Sequence, residues 1–132
     1  MNQKLAFVVD DEAVFANALT SFLNGQGYNA IAFNNPVETL AASIPLRPAL
    51  LLSDFNMSEM DGLTLAARLT ERHPDCKVLI ITSAAEEDVT HPGFEKFELL
   101  HKPVPLAVLL AKVVEQLGPG AGGGVGRTSA PL

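Results

Sequence analysis

Six side chains of a 132-residue sequence have types and settings that suit joint chemistry. Asp10 and Asp11 follow the apolar run Leu5-Ala-Phe-Val-Val9. Asp54 follows Leu50-Leu-Leu-Ser53. Thr82 and Ser83 close Val78-Leu-Ile-Ile-Thr82, and Lys102 follows Phe97-Glu-Leu-Leu-His101. Where such run ends meet, three carboxylates, hydroxyls and one ammonium surround a single crevice. Carboxylates within about 5 Å repel by about 3 kcal/mol per pair at an effective dielectric near 20. The cluster must then take up either a proton or a divalent cation. An all-oxygen, carboxylate-rich set with room for water suits Mg²⁺. With the charge neutralised, a phosphoryl group can approach, and Asp54 can act as nucleophile, as carboxylates do in aspartyl-phosphate chemistry. Thr82 and Lys102 would then meet the phosphoryl oxygens, Lys102 as a point charge.

Each residue also has a plain structural alternative. Asp11 could cap the first helix. Asp54 could be a turn residue. Thr82 could be a strand-end hydroxyl, and Lys102 a solvated surface lysine. The conjunction points to a site: four separate run ends each deliver a fitting side chain.

The elements that must position them follow from apolar periodicity. Leu5–Val9 reads as a strand buried on both faces. Val14, Phe15, Ala18, Leu19, Phe22 and Leu23 recur at spacings of three and four, a buried helical stripe that Gly25 and Gly27 end. Tyr28–Phe33 is a second strand. Asn35-Pro36 is a cap with proline at the first helical position, opening a short helix to about Ser43. Leu50–Ser53 is the third strand. Gly62–Arg72 is a helix with Leu65 and Leu69 on one face, stopped by His73-Pro74-Asp75. Val78–Thr82 and Phe97–His101 are the fourth and fifth strands. Pro105 opens a last helix with Leu106, Leu109, Leu110, Val113, Val114 and Leu117 as its stripe. This βα alternation predicts a five-stranded parallel α/β sheet with helices on both faces. Right-handed crossovers put every strand's carboxyl end on one edge, beyond which open α/β sheets bind ligands.

Length suits one domain. Residues 1–117 form it, and the Gly/Pro-rich stretch 118–132 reads as a disordered tail or linker. The formal charge of −6 argues against a nucleic acid or an anionic membrane surface as the main partner. The apolar runs fall short of the roughly 20 residues of a membrane span, and the start lacks a secretory leader. One cysteine, Cys76, cannot form an internal bridge. Cytoplasmic residence is the expectation.

At this point the sequence resembles the receiver domain of two-component response regulators. The carriers are Val-Val-Asp-Asp-Glu at 8–12, Ser-Asp-Phe-Asn-Met-Ser-Glu-Met-Asp-Gly at 53–62, Ile-Ile-Thr-Ser-Ala at 80–84 and His-Lys-Pro at 101–103. The resemblance covers Lys4 to about Leu117. It implies a flavodoxin-like sheet of order 2-1-3-4-5. It implies a cytoplasmic phosphoprotein of a phosphorelay, not an enzyme in its own right, whose Asp54 takes a phosphoryl group from a histidine kinase or phosphotransfer protein. Asp10, Asp11, Asp54 and the backbone carbonyl of Asn56 are the implied Mg²⁺ ligands. Thr82, Ser83 and Lys102 are the implied phosphoryl-binding and switch residues, and Lys102-Pro103 the implied cis peptide. Asp61-Gly62 closes the loop after the acceptor, with the glycine allowing the turn into the third helix. The implied partners are the phosphodonor and a downstream protein, with no nucleic acid bound directly, no membrane, and a monomer or weak homodimer as the state.

The sequence departs from the family pattern in places. An aromatic residue is usual three positions before the lysine, and Leu99 stands there. Between Thr82 and Lys102 the chain is slightly short, and Pro92-Gly93 leaves a short or irregular fourth helix from about Glu86. Ala84 and Asn56 occupy positions that tune phosphoryl loss. His73, His91 and His101 are isolated and lack metal-ligand spacing. Met57 and Met60 either touch a partner or pack the acidic loop down. Two other functions compete. A phosphatase using Asp54 needs a second acid/base, and Asn56 stands where a common Asp-x-Asp motif places it. A flavin binder needs a phosphate loop after the first strand, where Asp10-Asp11-Glu12 would repel phosphate.

Overall fold

The computed structural model describes residues 4–83 and 96–120. Its elements are β1 (Leu5–Val9), α1 (Ala13–Gly25), β2 (Asn29–Phe33), α2 (Pro36–Leu46), β3 (Leu50–Asp54), α3 (Gly62–Arg72), β4 (Lys77–Thr82), β5 (Glu98–His101) and α4 (Leu106–Leu117). The five strands form one parallel sheet in the order β2-β1-β3-β4-β5. The expected fourth helix from Glu86 falls at residues 84–95, outside the described residues.

Alternation along the buried strands divides the core in two. Ala6, Val8, Leu50, Leu52, Leu79 and Ile81 face α1 and α4 and meet Leu23, Leu109, Val113 and Leu117. Phe7, Val9, Leu51, Val78 and Ile80 face the other way and meet Leu63, Leu65, Ala66 and Leu69 of α3. Strands covered on both faces need continuous apolar sequence, and β3 is buried throughout.

Helix ends follow local chemistry. The Asn35 side chain accepts the N–H groups of Val37 and Glu38 at 2.8 and 3.1 Å, and Pro36 sits inside the first turn. At the end of α1, Gly27 takes φ 95°, and its N–H donates to the Asn24 carbonyl. That left-handed position is where glycine costs least. His73 follows α3. It is buried, and its Nε2 lies 2.7 Å from the Ser43 carbonyl, joining α3 to α2.

Three sequence expectations need correction. In α1 the buried residues are Ala16 and Leu23, with Leu19 and Phe22 packed beside them, whereas Val14 is 77% and Phe15 54% exposed. In α4 only Leu109, Val113 and Leu117 are buried; Leu106 and Val114 face outward. The physical reason is the same: a helix lying on a sheet buries one stripe, and both helices carry more apolar residues than that stripe holds. The third concerns α2, which continues past Ser43 to Leu46 with Pro45 in its last turn, and ends at left-handed Arg47. A proline there deletes one hydrogen bond close to an end that is already loosening.

Gly118 begins the Gly/Pro-rich stretch tied to the domain. The Tyr28 hydroxyl donates to its carbonyl at 2.5 Å, and Lys4 Nζ donates to the Leu117 carbonyl at 2.6 Å.

Candidate functional site at the carboxyl edge

β3 runs one residue further than its apolar pattern, so Asp54 is its last residue and pairs with Ile81. The next N–H, of Phe55, donates to the Ile81 carbonyl at 2.7 Å. The Asp54 backbone is therefore fixed by the β4 ladder. β1 delivers Asp10, whose N–H donates to the Phe33 carbonyl at 3.1 Å. Asp10 Oδ1 accepts the N–H of Glu12 at 2.9 Å. Asp10 thus steadies the entry to α1. Glu12 is the N-cap residue and makes no side-chain cap bond, and Asp11 stays exposed. The capping alternative for Asp11 therefore does not hold.

One oxygen from each of Asp10, Asp11 and Asp54 lies within 4.8 Å of the others. Lys102 Nζ lies 3.0 Å from Asp54 Oδ1. Thr82 is buried, and its carbonyl accepts the Lys102 N–H at 2.8 Å. Ser83 is exposed. The Lys102–Pro103 peptide is cis. Asn56 is exposed on the loop after β3. Leu99 pairs with Ile80 and lies half-buried on the α3 side of the sheet, together with Phe97. His101 pairs with Thr82 at the sheet's outer edge and is exposed.

Gly62 has a role that differs from the expected one. Its φ is not positive. Instead, a Cβ there would collide with the Asp54 carbonyl oxygen and stand 3.1 Å from the Phe55 Cα. Its N–H donates to the Phe55 carbonyl at 2.8 Å. The glycine allows α3 to start directly against the end of β3. Asp61 caps that helix, its Oδ1 accepting the Thr64 N–H at 2.8 Å.

Burial pushes the Asp54 carboxyl above its usual range; the bond to Lys102 pulls it back, and the charges of Asp10 and Asp11 add to the rise. Burial pulls the Lys102 ammonium down, but Asp54, Asp10 and Glu12 outweigh that and hold it above its usual value. Lys102 is therefore a fixed cation beside a carboxylate that burial and its neighbours disfavour. The three-carboxylate donor set is hard, all-oxygen and short of positive charge, which fits Mg²⁺.

Sequence reasoning missed Phe15. It was expected in the buried stripe of α1, yet its ring centre lies 5.8 Å from Lys102 Nζ, within reach of a cation–π contact. The only sequence sign is the excess of apolar residues in α1.

A doubly wound sheet with an acidic cluster and a lysine at its carboxyl edge defines a class, and comparison with known proteins places the chain within it. The family model for the response regulator receiver domain matches residues 6–114. The chain is 34% identical over 115 residues to the DNA-binding transcriptional regulator NtrC of Salmonella typhimurium, covering 86% of this chain but 24% of that protein. It is 31% identical over 118 residues to the response regulator receiver protein CpdR of Brucella abortus, covering 86% of this chain and 97% of that one. Among solved structures, the response regulator TrrA of Thermotoga maritima, in complex with Mg²⁺-BeF, superimposes with a TM-score of 0.79 at 24% identity. That match covers 87% of this chain and 100% of the other, and it is a likeness of fold. The chain belongs to the response regulator receiver domain family. Receiver domains are phosphorylation-driven switches of two-component signalling, and the family binds Mg²⁺ at an acidic cluster of this kind. No described helix is long and apolar enough to cross a membrane.

Proposed function

We propose that Asp54 is the phosphoacceptor of this receiver, taking its phosphoryl group from the phosphohistidine of a sensor kinase or phosphotransfer protein. The observation that carries this reading is the setting of Asp54. It ends a fully buried strand, lies in a cluster spanning 4.8 Å with Asp10 and Asp11, and holds Lys102 at 3.0 Å. Asp10, Asp11 and Asp54 would hold Mg²⁺ together with the Asn56 carbonyl. Bound Mg²⁺ supplies charge neutralisation, which lets a phosphoryl anion approach three carboxylates.

The chain's own residues do the rest. Asp54 is rigid because its ladder partners are, so its oxygen is pre-positioned for attack. Lys102, kept protonated by its neighbours, is the cation that meets a phosphoryl oxygen. Thr82, the last residue of β4, and Ser83 after it would supply hydroxyl donors at the same edge. The change in charge at Asp54 redirects Lys102, and the face including Leu99 presents the result to a downstream protein. The signalling unit is residues 1–117, with 118–132 as a linker or tail. The test is intact-mass analysis with Mg²⁺ and phosphoramidate. One added phosphoryl is expected on the wild type and none on Asp54→Asn, with unchanged circular dichroism. Uptake by Asp54→Asn at the wild-type rate would remove Asp54 as the acceptor.

A further inference from the structure

α2 and α3 cover the sheet face opposite α1 and α4. Their C-terminal ends meet where His73 Nε2 approaches the Ser43 carbonyl. Two cavities show how each helix is turned. Glu38 of α2 lines one of about 200 Å³ with Ala32, Phe33 and Asn34, at the β2 edge. Thr70 of α3 lines another of about 380 Å³ with Lys77, Val78 and Phe97, on the β4 and β5 side. Those flanks point away from each other. Helical periodicity then puts Val37, Ala41 and Ile44 of α2 on the flank toward α3, and Arg68 and Arg72 of α3 on the flank toward α2. All five are exposed, Val37 by 53% and Ile44 by 59%. Between the helices runs a shallow groove with an apolar row on one wall and two guanidinium groups on the other.

Neither row serves the core. A helix on a sheet buries the stripe beneath it, and in α2 that stripe is Pro36, Thr39 and Ser43. The arginines are also set apart. The three described ones are Arg68 and Arg72 on α3 and Arg47 directly after α2. None makes an ion pair with a described residue; the ion pairs among those residues use Lys102 and Lys112. In a chain of formal charge −6, these helices carry a local surplus of positive charge.

We infer that the α2–α3 groove is a docking surface for an acidic amphipathic helix of a partner protein. Val37, Ala41 and Ile44 follow one another at spacings of four and three, so they offer a row matched to the apolar stripe of a helix laid along the groove. Arg68 and Arg72, four apart, meet carboxylates at the same spacing on that helix's flank, and guanidinium takes carboxylate in two-point geometry. A second copy of this chain lacks such a helix among its described residues. α1 has no acidic residue, and α2, α3 and α4 have one each: Glu38, Glu71 and Glu115. An anionic lipid surface would be repelled by the acidic remainder of the molecule. The groove shares no residue with the acidic cluster, and the inference is independent of the acceptor role of Asp54.

The probes are two synthetic helical peptides of about four turns. Both carry leucines at spacings of four and three. One has glutamates four apart on the adjoining flank, and the other has lysines there. Binding to the full chain is measured by fluorescence anisotropy and mapped by amide shifts. The glutamate peptide should bind, with shifts concentrated in α2 and α3. The lysine peptide should bind at least about tenfold more weakly at low ionic strength, because two exposed pairs turn from attraction to repulsion. That ratio should fall toward one in 1 M NaCl, where the screening length is roughly 3 Å. Arg68→Glu with Arg72→Glu should reverse the preference. Ile44→Ser should weaken both peptides by about tenfold with circular dichroism unchanged. Should the double reversal lower Tm, Arg68→Gln and Val37→Ser give the same test in smaller steps. No binding of the glutamate peptide at millimolar concentration, equal affinity for the two peptides, or shifts centred on α1 or α4 would overturn the inference. So would a dimer in sedimentation that Ile44→Ser dissolves, which makes a second copy the occupant. Binding to phosphatidylglycerol vesicles that the arginine variants abolish would overturn it in favour of a lipid surface.

Discussion

Asp11 is the member of the acidic cluster whose charge can be removed at least structural cost. It caps no helix, and its side chain is exposed. Asp10, by contrast, accepts the Glu12 N–H, and Asp54 holds Lys102. Asp11→Asn therefore isolates repulsion. At the cluster's 4.8 Å limit, each pair of charges repels by about 3.5 kcal/mol at an effective dielectric of 20 and about 0.9 kcal/mol in bulk water. Because Asp11 is exposed, the lower figure is the better guide. With two neighbours, the metal-free variant should gain about 1–2 kcal/mol over wild type. For a domain of this size that raises Tm by about 4–8 °C.

Thermal melts in EDTA at low ionic strength test this. The gap should shrink in 1 M NaCl, where the screening length is roughly 3 Å. It should also shrink on acidification. The Asp54 carboxyl is raised above its usual 3.8 in the folded state. A carboxyl raised on folding contributes stability that is present below the unfolded value and lost as pH rises through the folded one. The metal-free wild type should thus lose stability as pH rises from about 4 through that raised value, and the gap should open over the same window. Millimolar Mg²⁺ should stabilise wild type more than Asp11→Asn. If Asp11→Asn melts below wild type in EDTA at low salt, repulsion is not what Asp11 contributes, and the metal argument loses its energetic basis.

Gly62→Ala should cost about 1–3 kcal/mol in urea unfolding, because the added Cβ meets the Asp54 carbonyl. It should also slow phosphorylation, and a change under about 0.5 kcal/mol would show that the contact relaxes freely. Cys76 is buried, and burial lifts its thiol to about 12. At pH 8 it should react with a thiol reagent such as DTNB far more slowly than free cysteine and become reactive in denaturant; rapid native labelling would contradict this burial. Tyr28→Phe removes the hydroxyl bond to Gly118 and should cost about 1 kcal/mol. Limited proteolysis after Leu117 should quicken in that variant, and an unchanged cleavage rate would show that the bond does not secure the stretch.

The order of the elements was legible because the strands are short apolar runs ended by polar residues, a pattern that needs no tertiary information. The gathering of Asp10, Asp54, Thr82 and Lys102 followed from topology alone, since parallel strands share a carboxyl edge. What was not legible concerns rotation and contact distance. Period-2 and period-3.6 patterns say which residues share a face, not how many of them the neighbouring layer can cover. The reason for Gly62 likewise lay in a carbonyl eight positions back in sequence, where only coordinates could reveal the approach.

The error in α1 bears on the site itself. A stripe of Val14, Phe15, Ala18, Leu19, Phe22 and Leu23 is wider than a helix on a sheet can bury, so part of it must face elsewhere. The sheet takes Ala16 and Leu23. The residues left over nearest the helix's start are those beside Asp10, because α1 begins three residues after it. Phe15 thereby comes to lie by Lys102, and Leu19 lines a cleft that both residues share. An apolar surplus at the first turns of a helix that follows a carboxylate at the sheet's carboxyl edge is thus more than an imperfect core pattern. The chain topology places that surplus beside the acidic cluster, where the Phe15 ring comes within reach of the Lys102 ammonium.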